Sequence, residues 1–298
     1  MLPLFAKTVV SDKMRKFSNF LSEAADSIDE CRKLTASQKA ALRINAGFKN
    51  IHKGQSAFVI VNGPSLASQN IAPLKKYVTF AVSGFWKHEV ISEWQPTYYS
   101  LLDANFFRIE DSLDQFYKEL HERITTSTFF VPLFRGFDAV QRGRLPIDRT
   151  KFVASIGWNT PGNDLTTIVQ SFASVSAFAL SQAIYMGCDP IYLLGFDHDY
   201  LANRGVDRHF YKGGTVAGHH LVGVPLADRI PYDEEMRANI KLWNNYRRLK
   251  SIADRQGIRI FNATPGSYLD VFPRIEYEQV LKKMESTKFK FLIPNKEM

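Results

Sequence analysis

Residues 174–200, SVSAFALSQAIYMGCDPIYLLGFDHDY, decide the fold of this chain. The first half predicts a helix that Gly187 ends, because its apolar residues fall on one face: Val175, Phe178, Ala179, Ala183 and Met186. Residues 190–195 follow as an uncharged run that predicts a fully buried strand. A helix that leads into a buried strand is typical of a parallel α/β sheet.

Outward from this block, shorter apolar runs predict the remaining strands at residues 57–61, 78–82, 97–102, 128–133, 152–155 and 258–262. A helix of about twenty residues, ended by Gly257, is indicated by helical spacing of Met236, Ile240, Trp243, Leu249, Ile252 and Ala253. We therefore expect a Rossmann-like, mostly parallel sheet with helices on both faces. Ligands of such sheets bind beyond the carboxyl ends of the strands, where the strand order reverses.

The sequence divides into a helical arm (1–50), a Rossmann-like domain (51–282) and a basic tail (283–298). In the arm, Thr35 and Gln38 fit a capping box for a helix over residues 40–46. We expect the arm to pack either on the domain or on another subunit. In the second case the protein would be a homo-oligomer. The tail is either solvated or in weak contact with anionic lipid. Residues 199–232 lack periodicity and are predicted to form a lid loop.

Composition indicates an ordinary soluble globular protein, with 298 residues, 45% hydrophobic and 23% charged. No apolar run approaches the length of about 18 residues that a spanning helix needs, and the first residues make a poor signal peptide, so we expect a cytoplasmic protein. The net charge of +8 suits an anionic ligand. Nucleic acid is not the expected partner, because the sequence lacks RGG tracts and zinc-finger spacing. Cys31 and Cys188 are too few for a disulfide framework.

The turn Asn62-Gly63-Pro64-Ser65 follows the strand at residues 57–61. Gly63 allows another backbone or a phosphate to approach, and Ser65 can cap a following helix whose amino end favours an anion. Neither GxGxxG nor GxxxxGK[ST] occurs, so this is no ordinary dinucleotide or P-loop site. The alternative is a tight turn with a structural cap.

The strand at residues 190–195 leads into Asp197, His198 and Asp199. Such carboxylates can bind a metal, orient a sugar, act as a base, or merely cap a turn. Four of the seven histidines fall between residues 198 and 220: His198, His209, His219 and His220. One of them could act as a general base. No cysteine pattern or HExxH accompanies them, so we expect no metal.

Three blocks together resemble a known family: FVIVNGPSL at 58–66, residues 174–200, and FNATPGSYLDVFPRIEYEQVL at 261–281. They resemble the MptE-like (6-hydroxymethylpterin diphosphokinase-like) family. The first two blocks also resemble the bacterial lipooligosaccharide sialyltransferases, which use CMP-sialic acid on a Rossmann-like fold without a metal. The resemblance covers roughly residues 50–282.

The resemblance to the sialyltransferases implies the roles of individual residues. His209, in DRHFYKGG, would be the general base, and Tyr200 and Tyr211 would assist the departing phosphate. The nucleotide is expected against residues that follow the strands or begin a helix: Asn62, Gly63, Pro64, Ser65, Ser83, Asp103, Ser174, Ser176, Gly195, Phe196 and Asp197. Ser83 departs from the asparagine that those enzymes usually carry, and the arm has no counterpart in them.

Three functions follow as hypotheses. The first is a metal-independent glycosyltransferase that moves a sugar, such as one of the sialic-acid type from a CMP-type nucleotide donor, to a surface glycan or protein. The second is a diphosphokinase that uses ATP or GTP with magnesium held by Asp103, Asp197 and Asp199. The third is a nucleotide-binding protein without catalytic activity, whose ligand binding would not depend on His209.

Overall fold

A computed structural model describes residues 34–108, 112–156, 162–204, 206, 208–211 and 231–292. Most of the predicted arm (1–33), most of the predicted lid loop and the last tail residues (293–298) lie outside these ranges. Cys31, His219 and His220 lie outside them as well.

Within the described residues, seven parallel strands form one sheet. They are β1 (Ala57–Ile60), β2 (Val78–Val82), β3 (Tyr98–Ser100), β4 (Thr128–Pro132), β5 (Thr150–Val153), β6 (Ile191–Leu194) and β7 (Ile260–Asn262). The order across the sheet is β5-β4-β3-β2-β1-β6-β7. The chain thus builds outward from β1 to β5 and then returns to add β6 on the other side of β1. This order confirms the α/β, Rossmann-like class and puts the switch point between β1 and β6.

The α-helices among the described residues are α1 (Ala36–Arg43), α2 (Ser112–Arg123), α3 (Leu133–Gln141), α4 (Val175–Tyr185), α5 (Tyr232–Arg255) and α6 (Tyr277–Leu292). Helix α4 is buried from Ser176 to Tyr185 because it packs between the sheet and α5. Gly187, which the sequence predicts to end this helix, has φ +74° and so lies in the left-handed region that is common just after a helix. Each face of the sheet carries its own apolar cluster. Phe58 and Ile60 belong to one, and Val59 and Val61 to the other.

The described part of the arm, residues 34–50, packs on the domain. The capping box of Thr35 and Gln38 is confirmed, although its helix begins at Ala36 rather than at residue 40. A 3-10 turn, Ile44–Phe48, follows the helix. Within it, the fully buried Asn45 donates from Nδ2 to the carbonyls of Phe152 (2.7 Å) and Leu165 (2.8 Å). These bonds fix residues 34–50 to the β5 side of the sheet.

Two predicted elements differ from the structure. The helix expected from Ser65 is instead a five-residue 3-10 turn, Pro64–Ser68, and its N-cap residue is Gly63. Residues 283–292, assigned to the tail, continue helix α6. The predicted contact of the tail with lipid stays a prediction. Across the described ranges, no helix is both long and apolar enough to cross a membrane.

Candidate functional site

A cavity of about 1060 Å³ opens at the carboxyl ends of the strands. Its wall includes residues that follow β1, β2, β3 and β6, together with residues 171–176 at the amino end of α4. This is where an open parallel sheet is expected to bind its ligand, because the strand order reverses between β1 and β6. The volume lies just above the range of about 300–1,000 Å³ that is usual for small-molecule sites.

Ten of the fourteen site residues predicted from the sequence line this cavity. They are Asn62, Gly63, Ser83, Asp103, Ser174, Ser176, Gly195, Tyr200, His209 and Tyr211. The other four, which do not line it, are Pro64, Ser65, Phe196 and Asp197. The side chain of Phe196 is fully buried in the core. The structure therefore brings most of the predicted residues to one surface.

Ser65 and Asp197 bind each other behind the cavity wall. The backbone N–H of Ser65 donates to Oδ1 of Asp197 (3.1 Å), and its hydroxyl donates to Oδ2 (2.7 Å). Burial raises the pKa of Asp197, and the bonds from Ser65 oppose this rise. A Cβ atom on Gly63 would lie 1.8 Å from Oδ2, so only glycine fits there. The anion at the start of the 3-10 turn is thus the carboxylate of Asp197.

The segment that carries His209 is tied to the turn after β1. The N–H of Phe210 donates to the carbonyl of Asn62 (3.0 Å), and its ring packs beside His88, with 5.1 Å between ring centres. Tyr211 lies over Gly84, where a Cβ atom would come within 2.2 Å of the tyrosine oxygen. These contacts bring His209 and Tyr211 to the cavity from the loop after β6.

The loop after β2 supplies a second constrained backbone. Ser83 has φ +45°, an uncommon conformation for a residue other than glycine. Its carbonyl accepts a hydrogen bond from the hydroxyl of Tyr99 (2.6 Å). Nearby, Nδ2 of Asn62 donates to the carbonyl of Val82 (3.3 Å), and Oδ1 is buried with no hydrogen-bond partner among the described residues. The ends of β1 and β2 are thereby joined beneath the cavity.

A chain of hydrogen bonds runs from His198 to the amino end of α4. Nε2 of His198 lies 2.7 Å from the hydroxyl of Tyr246, which lies 2.6 Å from the hydroxyl of Ser176. The hydroxyl of Ser176 lies 2.5 Å from that of Ser174, the N-cap residue of α4. Burial lowers the pKa of His198 to about 4, so this imidazole is neutral at pH 7. Tyr246 was not predicted. Its only signal is a phenol on the buried side of α5.

The three carboxylates that the magnesium hypothesis assigns to the metal each accept hydrogen bonds from a different set of protein groups. Asp103 caps the turn after β3 by accepting from the N–H of Asn105 (2.8 Å). Asp199 accepts from the guanidinium of Arg208 and from Nδ2 of Asn203 (3.0 Å). Asp197 binds Ser65 as described above. In the ranges that the structure covers, no group of three or more His, Cys, Asp or Glu side chains is arranged to hold a metal ion.

The cavity has two regions of different chemistry. The switch-point region is lined by Asn62, Gly195, Ser174, Ser176 and His198. The aromatic region, beyond β2 to β4, is lined by Trp86, Lys87, Phe106, Phe116, Phe134 and Arg135. Phe134 is 48% exposed, whereas Trp86, Phe106 and Phe116 are buried. His209 and Tyr211 also line the cavity, so both regions share one space with the proposed base.

Fold and site together define an α/β protein with a Rossmann-like sheet and a large cavity at its switch point. No protein-family model matches the chain, and no curated protein matches it either. The chain is similar to the solved structure of the MAf glycosyltransferase from Magnetospirillum magneticum AMB-1, with 13% identity and a TM-score of 0.45. That match covers 85% of this chain and 42% of the other, so this chain spans less than half of that protein's length.

A second similar structure is the sialyltransferase CST-II, solved in complex with a trisaccharide acceptor and CMP. It has 14% identity and a TM-score of 0.45, and the match covers 74% of this chain and 86% of the other. Both structures are glycosyltransferases by name, and neither is described as a member of the MptE-like family.

Proposed function

We propose that the protein is a glycosyltransferase that moves a sugar from a nucleotide donor to a hydroxyl of a glycan or protein. One observation carries the proposal: His209 and the amino end of α4 line the same cavity at the switch point. Glycosyl transfer needs a base at the acceptor and stabilisation of negative charge at the leaving phosphate. A helix amino end supplies the second requirement, and a histidine supplies the first.

In this proposal the nucleotide occupies the switch-point region, with its phosphate at Ser174 and Ser176. The N–H of Ser176 is bonded to the hydroxyl of Ser174, and the dipole of α4 favours an anion beside them. Asp197 would fix the turn 62–65 through Ser65, since both of its oxygens accept from that residue. The resemblance to the sialyltransferases favours a CMP-type donor and a sugar of the sialic-acid type.

The transfer step follows from these positions. His209 takes the proton of the acceptor hydroxyl as its oxygen attacks the anomeric carbon. The bond from that carbon to the phosphate oxygen breaks, and its electron pair stays on the phosphate. Tyr200 and Tyr211 donate hydrogen bonds to the phosphate as charge develops on it. The step requires no metal, because the amino end of α4 and these hydroxyls stabilise the leaving group.

The acceptor would occupy the aromatic region. Aromatic faces with a few polar groups are typical of sites that orient a small ligand. Lys87 and Arg135 line this region, and their positive charges suit an acceptor with an acidic group. The exposed ring of Phe134 offers a surface on which a sugar can stack.

The test is a transfer assay with CMP-sugars, in which release of CMP is followed for the wild type and for His209→Ala. Loss of a general base reduces turnover by about 10²–10⁴-fold. We expect that reduction with unchanged affinity for CMP. His121→Ala is the matched control, because Nε2 of His121 pairs with the carbonyl of Arg144 and the residue does not line the cavity. Transfer by His209→Ala at the wild-type rate would refute the proposed base. Magnesium-dependent pyrophosphoryl transfer from ATP would favour the diphosphokinase hypothesis instead.

A further inference from the structure

We infer that His198 is a positioning residue which, through Tyr246 and Ser176, directs the hydroxyl proton of Ser174 into the cavity as a hydrogen-bond donor to an anionic phosphate. The inference rests on the proposed function for the nature of that anion. It gives a task to His198 and Tyr246, neither of which has a part in the transfer step above.

The position of the proton on His198 sets the direction of the chain. Nδ1 is buried and has no hydrogen-bond partner among the described residues, whereas Nε2 faces the hydroxyl of Tyr246 at 2.7 Å. A neutral imidazole carries one proton. A proton on Nδ1 would leave a buried donor without an acceptor, and such orphaned donors are rare. The favoured tautomer therefore has its proton on Nε2, donating to the oxygen of Tyr246.

Once that bond is directed, the remaining bonds follow. Tyr246 accepts from His198, so its own proton goes to the hydroxyl of Ser176 at 2.6 Å. Ser176 then donates to Ser174 at 2.5 Å. Ser174 also accepts from the N–H of Ser176 at 3.1 Å, so both of its acceptor positions are filled from the protein side. Its remaining hydrogen-bonding capacity is its own proton.

The cavity is the place where that proton can be used. Ser174 lines the cavity at the N-cap of α4, and the hydrogen bonds of its hydroxyl within the described residues both join it to Ser176. If these hydrogen bonds pointed in the opposite direction, the hydroxyl of Ser174 would donate to Ser176 and would present only a lone pair to the ligand. A lone pair repels a phosphate oxygen, whereas a hydroxyl proton forms a charge-assisted bond with it. The direction of the chain therefore decides whether Ser174 attracts or repels the phosphate.

Three substitutions probe the direction of the chain. Tyr246→Phe removes the hydroxyl at its centre and keeps the ring. His198→Asn suits the positive φ of this position but is too short to reach Tyr246. His198→Gln places an amide N–H near the former Nε2 and should restore the donor. Tyr185→Phe is the matched control, since it removes a buried hydroxyl that donates to the carbonyl of Asn45 (3.0 Å) away from the cavity.

The measurement is calorimetric titration of the full chain with CMP, cytidine and inorganic pyrophosphate. We expect Tyr246→Phe and His198→Asn to weaken CMP and pyrophosphate by about tenfold, the scale of one charge-assisted hydrogen bond, with cytidine unchanged. His198→Gln and Tyr185→Phe should bind like the wild type. In a Ser174→Ala background, Tyr246→Phe should cause no further loss, because the two residues act through one bond.

Equal affinity of the wild type, Tyr246→Phe and His198→Asn for CMP and pyrophosphate would overturn the inference. Parallel loss of cytidine affinity would do the same, because it would indicate general distortion. A wild type that binds pyrophosphate but none of the nucleosides or nucleotides would contradict the proposed function alone, and the inference would then be judged on pyrophosphate. A wild type that binds none of the three ligands would overturn both.

Discussion

Ser65 and Asp197 lie 132 residues apart in the sequence, and two hydrogen bonds join them behind the cavity. Ser65 follows β1 and Asp197 follows β6, so the pair links the two strands between which the strand order reverses. The bond from the hydroxyl is 2.7 Å long, and the carboxylate is only 9% exposed. The wall of the cavity is therefore supported from behind by the buried carboxylate of Asp197, whose two oxygens accept hydrogen bonds from Ser65.

Replacing Ser65 by alanine should destabilise the fold in a pH-dependent way. We expect a loss of about 1–2 kcal/mol in the free energy of unfolding at pH 7, the cost of one hydrogen bond to a charged group. Because the bonds from Ser65 lower the pKa of Asp197, the variant raises that pKa further above its ordinary value of 3.8. A raised pKa means stability that is present below pH 3.8 and is lost as pH rises through the folded-state pKa. The deficit of the variant should therefore grow above pH 3.8, as pH passes through the pKa of Asp197 in the two folded proteins.

Urea unfolding at pH 3.5 and pH 7 measures this difference. Ser68→Ala is the control, because the hydroxyl of Ser68 donates to the carbonyl of Ser65 in the same turn and does not contact Asp197. An equal loss at both pH values in Ser65→Ala would mean that the charge of Asp197 is not what Ser65 stabilises.

Two glycines at the cavity should respond differently to alanine. At Gly63 the new Cβ would meet Oδ2 of Asp197 at 1.8 Å and the backbone oxygen of Gly195 at 2.2 Å, so the backbone must shift. We expect a loss of about 3 kcal/mol or more, at the upper end for overpacking. At Gly84 the clash is with the side-chain end of Tyr211, at 2.2 Å. That ring can move, so Gly84→Ala should keep most of its stability and lose transfer activity.

Thermal unfolding and CMP release, measured side by side on both variants, separate the two effects. Gly47→Ala is the control, since a Cβ there has no atom within 4 Å. Full activity in Gly84→Ala would show that Tyr211 is not needed at its observed position.

The neutral state of His198 should make the protein sensitive to acid. Burial lowers the pKa of His198 from 6.5 to about 4, so the unfolded chain takes up this proton before the folded chain does. Stability contributed by His198 is therefore present above pH 6.5 and is lost as pH falls through about 4, by about 3 kcal/mol in total. His198→Gln cannot titrate, so it should lose correspondingly less stability between pH 7 and pH 4.

Denaturant unfolding of the wild type and His198→Gln at both pH values tests this difference. Groups that do not interact with His198 titrate equally in the two proteins and cancel in the comparison. Identical pH dependence in the two proteins would contradict a buried, neutral His198.

The sequence predicts the sheet well because buried parallel strands are continuous apolar runs. Each end of the seven strands lies within two residues of the corresponding end of its predicted run, and β2 matches its run, residues 78–82, at both ends. The capping box at Thr35 could also be recognised from the sequence, because its hydrogen bonds join residues only three positions apart. The helix predicted from Ser65 is a five-residue 3-10 turn, Pro64–Ser68, because the chain becomes extended at Gln69.

The candidate site was predictable only where its residues follow strands. Asn62, Ser83, Asp103 and Gly195 could be assigned to one edge of the sheet because parallel strands end together. The pairing of His198 with Tyr246 could not be predicted, since 48 residues separate them and no motif contains both. The inner position of Asp197 likewise depends on its bonds with Ser65, which spacing does not reveal.

The central claim is that the switch-point cavity binds the nucleotide of a sugar donor without a metal. The most direct test is the melting temperature of the full chain with CMP, CDP, UDP, GDP, ATP and GTP, each with and without magnesium. A ligand that binds the folded state raises that temperature by mass action. We predict stabilisation by CMP or CDP that is the same with and without magnesium. Stabilisation only by ATP or GTP, and only with magnesium, would contradict the claim.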